Sequence, residues 1–390
     1  MHNIYIIFIL FLSWIPLFAL NNFGASSMAG GILISSFLLY VFNIKYWKKL
    51  LYIKKKYFLF MIVFLLYVLI NTFFAGSLLT TKAYLSLLIL FFVFSASNLA
   101  SDSIANSKNL ILYKTIKYVF LIFLLLGLYH IVFIGGPRNP FPFSEASHYA
   151  LFIGPFAIAL YVVSSNRILK SIIIGWLFLA GILFPNTTIL TYLTLIILLE
   201  VKLNIKNIAF IILAGIILLN IILNNTYFLD RVFFFSNTSS SNLSALVYLQ
   251  GIQDAYYSFT ETKGFGIGFQ QLGTQKPSDA GFIIQGLIGN DTGLNRQDGG
   301  FTAAKIIAEL GFLGLLILII YIRIFIRAYV YLTTYMENKN HDLKLAISYS
   351  FIYSYLIELF VRGAGYFTQG SFLFYVALFY LFNRKKLFYK

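Results

Sequence analysis

Runs of predominantly apolar residues divide the chain from end to end. Nothing constrains its fold more, because a helix that crosses the hydrocarbon core of a bilayer needs about 20 such residues. Twelve windows qualify as spans: residues 4–20, 28–44, 57–75, 83–98, 112–134, 149–164, 171–185, 187–200, 207–223, 301–322, 345–361 and 368–383. The short pair flanking Pro185, Asn186 and Thr187 reads as tilted helices or a re-entrant couple. With only 11% of its residues charged and 60% hydrophobic, the chain lacks the roughly one-quarter charged fraction of a soluble domain. The fold class is therefore all-α, a polytopic membrane protein with about twelve transmembrane helices. Residues 4–20 have neither a basic leader nor a small-residue cleavage site and read as a retained span.

The basic residues orient this array. With the N-terminus inside, 21 of the 29 Lys and Arg residues fall in cytoplasmic segments, including Lys45, Lys48, Lys49, Lys54, Lys55 and Lys56, and the C-terminal Arg384, Lys385, Lys386 and Lys390. Only Lys82, Arg138, Arg231, Lys263, Lys276, Arg296, Lys305 and Arg362 are left on the other side. The reverse orientation would invert a strong positive-inside bias. Both termini are accordingly expected in the cytoplasm. The net charge of +16 then reflects topology, and nucleic acid is not expected as a partner. A basic residue on the outer side needs a reason, which makes each of those eight a candidate for a site.

Three regions follow: residues 1–223 with nine spans, an extracytoplasmic loop of residues 224–300 with short helices, and residues 301–390 with three spans. The long loop carries six of the thirteen acidic residues, among them Asp254, Asp279 and Asp298. An interval of this length is too long for a connector. Its apolar, helix-spaced stretch over 243–259 speaks against disorder.

Four outer stretches can carry chemistry. Residues 135–148 hold three prolines and two glycines, which stiffen the backbone, with Arg138, Glu145 and His148 as a cation, a base and a second titratable group. If the sixth span starts near Ser144, Glu145 and His148 share a helix face; the plainer reading is an Arg138–Glu145 ion pair. In the long loop, Ser241 or Asn242 can cap a helix that sets Gln250 and Asp254 one turn apart. The Gly264, Gly266 and Gly268 run that follows lacks a surrounding strand and helix unit, so it reads as a tight turn approaching a helix or substrate and not as a nucleotide loop. Residues 294–311 carry Asp298, Lys305 and Glu309 into the tenth span, where ionisable groups mark either function or a structural i,i+4 pair. The fourth stretch places Arg362 at the outer end of the eleventh span, followed by Tyr366.

In this order, and all external, these stretches resemble the O-antigen polymerase (Wzy) family of bacterial surface polysaccharide assembly. The likeness rests on Phe143-Ser-Glu-Ala-Ser-His148, Val247-Tyr-Leu-Gln-Gly251, Gly264-Phe-Gly-Ile-Gly268, Asp298-Gly-Gly-Phe-Thr-Ala-Ala-Lys305 and Arg362-Gly-Ala-Gly-Tyr-Phe367. Ala146 stands where family members more often have Pro. The related O-antigen ligases typically carry a His where this chain has Asp298. The resemblance implies a class C glycosyltransferase-like fold in the bacterial inner membrane, with the site facing the periplasm. It implies undecaprenyl-pyrophosphate-linked oligosaccharides as substrates, membrane lipid as surroundings and a chain-length regulator as a partner.

The residues fit that chemistry. A sugar on a pyrophosphate is already activated, so the enzyme must neutralise departing charge, and guanidinium forks suit phosphate oxygens. Arg138 and Arg362 are placed for this. Glu145, His148 and Asp298 are candidates for the base that takes the acceptor proton, Glu145 first among them. Gln250, Asp254, Lys305 and Tyr366 complete the expected substrate contacts. No metal is expected, for lack of an Asp-x-Asp pair or a His and carboxylate cluster, and no cofactor. A ligase moving polysaccharide to a lipid core is the nearer rival. A transporter is the more distant one, since carriers place polar groups near the midplane and this chain places them at the outer ends.

Overall fold

The structure is a computed structural model that describes residues 28–42, 55–74, 81–135, 145–201, 242–289, 294–338 and 342–385, with Ile15, Pro140 and Phe143. Among them there is no strand. The helices are α1 (Met28–Phe42), α2 (Lys55–Phe74), α3 (Thr81–Asn106), α4 (Asn109–Tyr129, extended by a π turn over His130–Ile134), α5 (Ala146–Val163), α6 (Arg167–Leu183) and α7 (Thr187–Glu200). They continue with α8 (Leu243–Glu261) and α9 (Asp279–Ile288) in the long loop, then α10 (Thr302–Glu337), α11 (Leu343–Phe360) and α12 (Gln369–Lys385). Each apolar window in the described residues coincides with a helix; the window 207–223, and the window 4–20 apart from Ile15, lie outside them. Among the described residues, five helices, α3, α4 with its π turn, α5, α10 and α11, are long and apolar enough to cross a membrane. Their outer surfaces leave Leu125, Val132, Phe133 and Ile319 mostly exposed, a surface suited to lipid and not to water.

The centre of the bundle is α5, buried on every side. It packs against α4, α7 and α11; α11 also meets α10 and α12, and α12 carries α3. Close approach uses small residues: the ring of Tyr192 on α7 lies over Gly154 of α5, where any side chain would collide with it. Pro155 interrupts the hydrogen bonding of α5, because proline has no N–H to give the carbonyl four residues earlier. That carbonyl, on Leu151, accepts instead from the Gln369 Nε2 amide at 2.9 Å, which fixes the start of α12 to the middle of α5. Replacing Gln369 by leucine leaves the carbonyl buried and unpaired. The expected result is a loss of about 1–2 kcal/mol, read as a lower midpoint in thermal unfolding of the detergent-solubilised protein.

Helix α10 departs from the sequence expectation twice. It continues past residue 322 to Glu337, since no Gly or Pro follows to stop it and Arg323 and Arg327 suit a helix that leaves the membrane. It is also broken at Gly311, whose φ of 55° and ψ of −127° are accessible only to glycine. The break frees backbone groups, and the glycine-rich segment of the loop takes them up. Ile267 N donates to the Ala308 carbonyl at 2.9 Å, Gly268 N to Glu309 O at 3.2 Å, and Phe312 N to Gly264 O at 2.8 Å. The hydroxyl of Tyr67 on α2 donates to Leu310 O at 2.7 Å. A Cβ on Gly266 would stand 2.6 Å from the Glu309 carbonyl, so this tight turn approaches a helix backbone as closely as the sequence reading required. Irregular backbone at membrane depth persists only where its polar groups are satisfied in this way.

Candidate functional site

Two polar groups meet where the long loop lies over α10 and the segment after α11. The first begins at the N-terminus of α5. This helix starts at Ala146, and Glu145 is the N-cap residue with extended backbone, φ −142° and ψ 148°. Its side chain does not cap the helix but turns outward. Ser147 Oγ donates to Glu145 Oε2 at 2.8 Å, and Arg362 Nη2 lies 3.3 Å from the same oxygen. Partial burial acts to raise the Glu145 carboxyl, but electrostatic interaction with His148 and Arg362 and hydrogen bonds from Ser147 and Arg362 outweigh it and hold it below its ordinary value of 4.5. It is an ionised base at neutral pH. His148 is buried one turn into α5.

The second group is built around Lys305, on the first turn of α10. Its ammonium donates to the Gln297 carbonyl at 2.6 Å and to Gln270 Oε1 at 3.3 Å, and lies 3.8 Å from both Asp298 Oδ1 and Glu309 Oε1. Glu309, one turn further in, accepts from the backbone N–H of Gln270 at 2.9 Å and of Leu272 at 3.2 Å, and from the Tyr366 hydroxyl at 2.8 Å. The Tyr366 ring stacks on Phe269 at 5.3 Å, and Lys305 Nζ is 5.3 Å from its centroid. Lys82 at the start of α3 donates to Gln297 Oε1 at 2.7 Å.

Accessibility separates the two groups. The side chains of Glu145 and Arg362 are 51% and 22% exposed, whereas those of Lys305 and Glu309 are 3% and 0%. A substrate can reach the first pair. The second is a closed hub that ties loop residues 270–272 and 297–298 to α10. Asp298 stands at its edge, 44% exposed.

The segment from Arg362 to Tyr366 joins them. Gly363 N donates to Gly300 O at 3.1 Å, Thr302 Oγ1 donates to Gly365 O at 3.4 Å, and a Cβ on Gly365 would lie 3.1 Å from Asp298 Oδ1. The residues Glu145, His148, Arg362, Tyr366, Asp298 and Lys305 therefore form one continuous region. Gln250 and Asp254 lie elsewhere, inside the loop where α8 faces α9. Burial pushes the Asp254 carboxyl above its ordinary 3.8 against the lowering pull of Ser278 and Arg296. Arg138 lies outside the described residues. Among the described residues no group of His and carboxylate side chains is arranged to hold a metal.

No protein-family model matches the chain, and no curated protein is significantly similar to it. The functional reading therefore rests on this geometry and on the residue patterns that led to it. Sequence reasoning gave no role to Gln270 or Lys82, and left Glu309 as either functional or the i,i+4 partner of Lys305, the pair that the structure shows. The signal for Lys82 was its place among the outer basic residues, and for Glu309 its i,i+4 spacing from Lys305.

Proposed function

We propose that the protein is a membrane-embedded glycosyltransferase of the O-antigen polymerase kind. It joins undecaprenyl-pyrophosphate-linked oligosaccharide repeat units at the outer face of the bacterial inner membrane. The observation that carries this reading is the accessible contact between Glu145 and Arg362, two residues 217 positions apart that sequence reasoning chose separately as base and pyrophosphate ligand. In the reaction the acceptor hydroxyl oxygen attacks C1 of the donor sugar and the bond from C1 to the pyrophosphate oxygen breaks. Glu145 takes the hydroxyl proton, and Arg362 holds the negative charge that accumulates on the departing pyrophosphate. Because Arg362 rests on Glu145, an arriving pyrophosphate draws the guanidinium away and frees the carboxylate for the proton.

The hub around Lys305 positions this site by fixing residues 297–300, against which the Arg362 segment is bonded. The class C architecture and the count of twelve spans belong to the same proposal. Deleting the gene in its native strain tests it. The expected surface glycolipid carries a single repeat unit, because transfer to the final acceptor continues while polymerisation stops. Glycolipid with no repeat attached points to the ligase reaction, and unchanged full-length polymer overturns both.

A further inference from the structure

Past its break, α10 presents two faces. Tyr321, Ala328, Leu332 and Tyr335 recur at helical spacing and are buried against the bundle. The opposite stripe is exposed and runs through Ile319, Arg323, Ile326, Arg327, Val330 and Thr334. Ile319, Ile326 and Val330 are each more than half exposed, as lipid-facing side chains are. Arg323 and Arg327 interrupt them, the only charged residues between Glu309 and Glu337. Charge on a lipid-facing stripe is costly unless it reaches the headgroups, so these two arginines need a partner there.

Beside Arg327 the packing of α10 on α11 leaves a groove of about 390 Å³. Ile326, Arg327, Val330, Tyr331 and Thr334 of α10 line it, with Tyr349 of α11. Its walls are mainly apolar. The Tyr331 hydroxyl is spent on the Asp342 carbonyl at 3.3 Å, and the Thr334 hydroxyl on the Val330 carbonyl at 2.9 Å. Among the described residues, the Arg327 guanidinium and the Tyr349 hydroxyl have no hydrogen-bond or ion-pair partner. No carboxylate lines the groove to neutralise Arg327. Asp342 is held by Arg384 at 3.1 Å, and Glu200 by Lys170 at 3.0 Å.

These features specify an amphiphilic, negatively charged occupant. An apolar chain alone would leave the guanidinium unpaired, and a small soluble anion would leave the Ile326 and Val330 wall uncovered. A phospholipid carries both parts in one molecule: an acyl chain for the wall and phosphate oxygens for the planar fork of Arg327. Arg323, one turn away, repels the ammonium of a zwitterionic headgroup and so favours an anionic one. The depth agrees. Arg327 lies 25 residues after Thr302, about 37 Å along α10 at 1.5 Å per residue, which carries it past a hydrocarbon core of about 30 Å to the headgroups. This end of α10 is remote from Lys305 and from the Arg362 segment, so the occupant is not the pyrophosphate of the substrate.

We propose that the groove between α10 and α11 at this end binds one anionic phospholipid, with its phosphate on Arg327 and an acyl chain along Ile326 and Val330. The site stands whether or not the protein is a glycosyltransferase. The experiment is native mass spectrometry of the full-length protein, delipidated in detergent and titrated with phosphatidylglycerol or phosphatidylcholine of identical chains. Wild type should bind its first phosphatidylglycerol about fivefold to tenfold more tightly than phosphatidylcholine. Arg327→Gln should lose that preference. Val330→Trp, which fills the path of the chain, should weaken both lipids. Arg167→Gln, which removes an exposed arginine at the start of α6 outside the groove, should keep the preference.

The proposal is overturned if wild type binds the two lipids equally, or if Arg327→Gln still prefers phosphatidylglycerol. It is also overturned if Arg167→Gln loses the preference as fully as Arg327→Gln does, since that is diffuse surface charge. Displacement of the lipid by glycerol 3-phosphate would assign the groove to a soluble phosphate instead. Thermal unfolding without lipid is recorded for each variant and for Arg327→Lys, which keeps the charge without the fork and should bind phosphatidylglycerol with intermediate affinity. Early unfolding of both Arg327 variants in the absence of lipid would make Arg327 a structural residue and end the proposal.

Discussion

Arg362→Lys is expected to remove most polymer formation, by about 100-fold or more, although it keeps the positive charge. An ammonium cannot reproduce the planar, bidentate contact of a guanidinium with phosphate oxygens, and losing one oriented donor to developing charge costs a factor of this order. Glu145→Gln, its partner variant, is expected to lose turnover by about 100-fold to 10,000-fold, since the amide keeps the shape but accepts no proton. The two variants differ in binding. In Glu145→Gln the guanidinium no longer rests on a carboxylate, so lipid-linked substrate binds at least as tightly as in wild type while turnover falls. Arg362→Lys weakens both. The measurement is chain-length analysis in a deletion strain complemented at matched expression, with pull-down of labelled lipid-linked substrate. Full-length polymer from Arg362→Lys would show that Arg362 is an interfacial anchor.

The second large effect falls on the closed hub. Lys305→Met strands the Glu309 carboxyl in a site with no exposure and without the cation it pairs with, and breaking a buried pair on one side costs about 3–5 kcal/mol. The loss of the Lys305 contact to the Gln297 carbonyl adds to it. Unfolding of purified Lys305→Met in detergent is expected many degrees below wild type, with loop residues 270–272 and 297–300 gaining hydrogen-exchange rate first. Lys305→Met with Glu309→Leu recovers only part of the loss, because the N–H groups of Gln270 and Leu272 then lack an acceptor. An unchanged midpoint for the single variant would mean that the hub does not hold the loop.

The two predictions draw on different levels of legibility. What could be read from the sequence was local. Apolar windows located helices because a span is a property of consecutive residues, and Asn242 could be named as a cap because capping acts within three residues; its side chain accepts from Ser244 N and Ala245 N as expected. The crowding of Gly264, Gly266 and Gly268 announced a close backbone approach, though not that its target would be a break in α10. Helix α9 was announced only by Ser278 and Asp279 ahead of a short apolar run, too brief to separate from loop.

Pairing across long separations could not be read. Arg138 stood nearest Glu145 along the chain, and nothing local pointed to Arg362, which the structure places on Glu145. The outer basic residues had been singled out only as a set. In the structure Lys82 and Lys305 both donate to Gln297, one to its side-chain amide oxygen and one to its carbonyl, Arg296 donates to the Gln275 carbonyl, and Arg362 pairs with Glu145. Charge sign and side of the membrane are properties of a residue and its neighbours in sequence; which partner it finds depends on how α5, α10 and α11 pack.

The break at Gly311 also bears on the order in which the protein is assembled. A membrane helix normally closes its own hydrogen bonds as it is inserted, but α10 cannot do so at residues 308–312, whose partners lie on Gly264, Ile267, Gly268 and Tyr67. All four precede α10 in the chain, so they leave the ribosome before it and are present when its unpaired groups arrive. Were the connection reversed, with the glycine segment encoded after the broken helix, those groups would have to wait in hydrocarbon for a partner still being translated. The gene order of these two segments thus spares the insertion machinery a defective intermediate, and a circular permutant that begins between residues 289 and 294 is the arrangement in which that protection is lost.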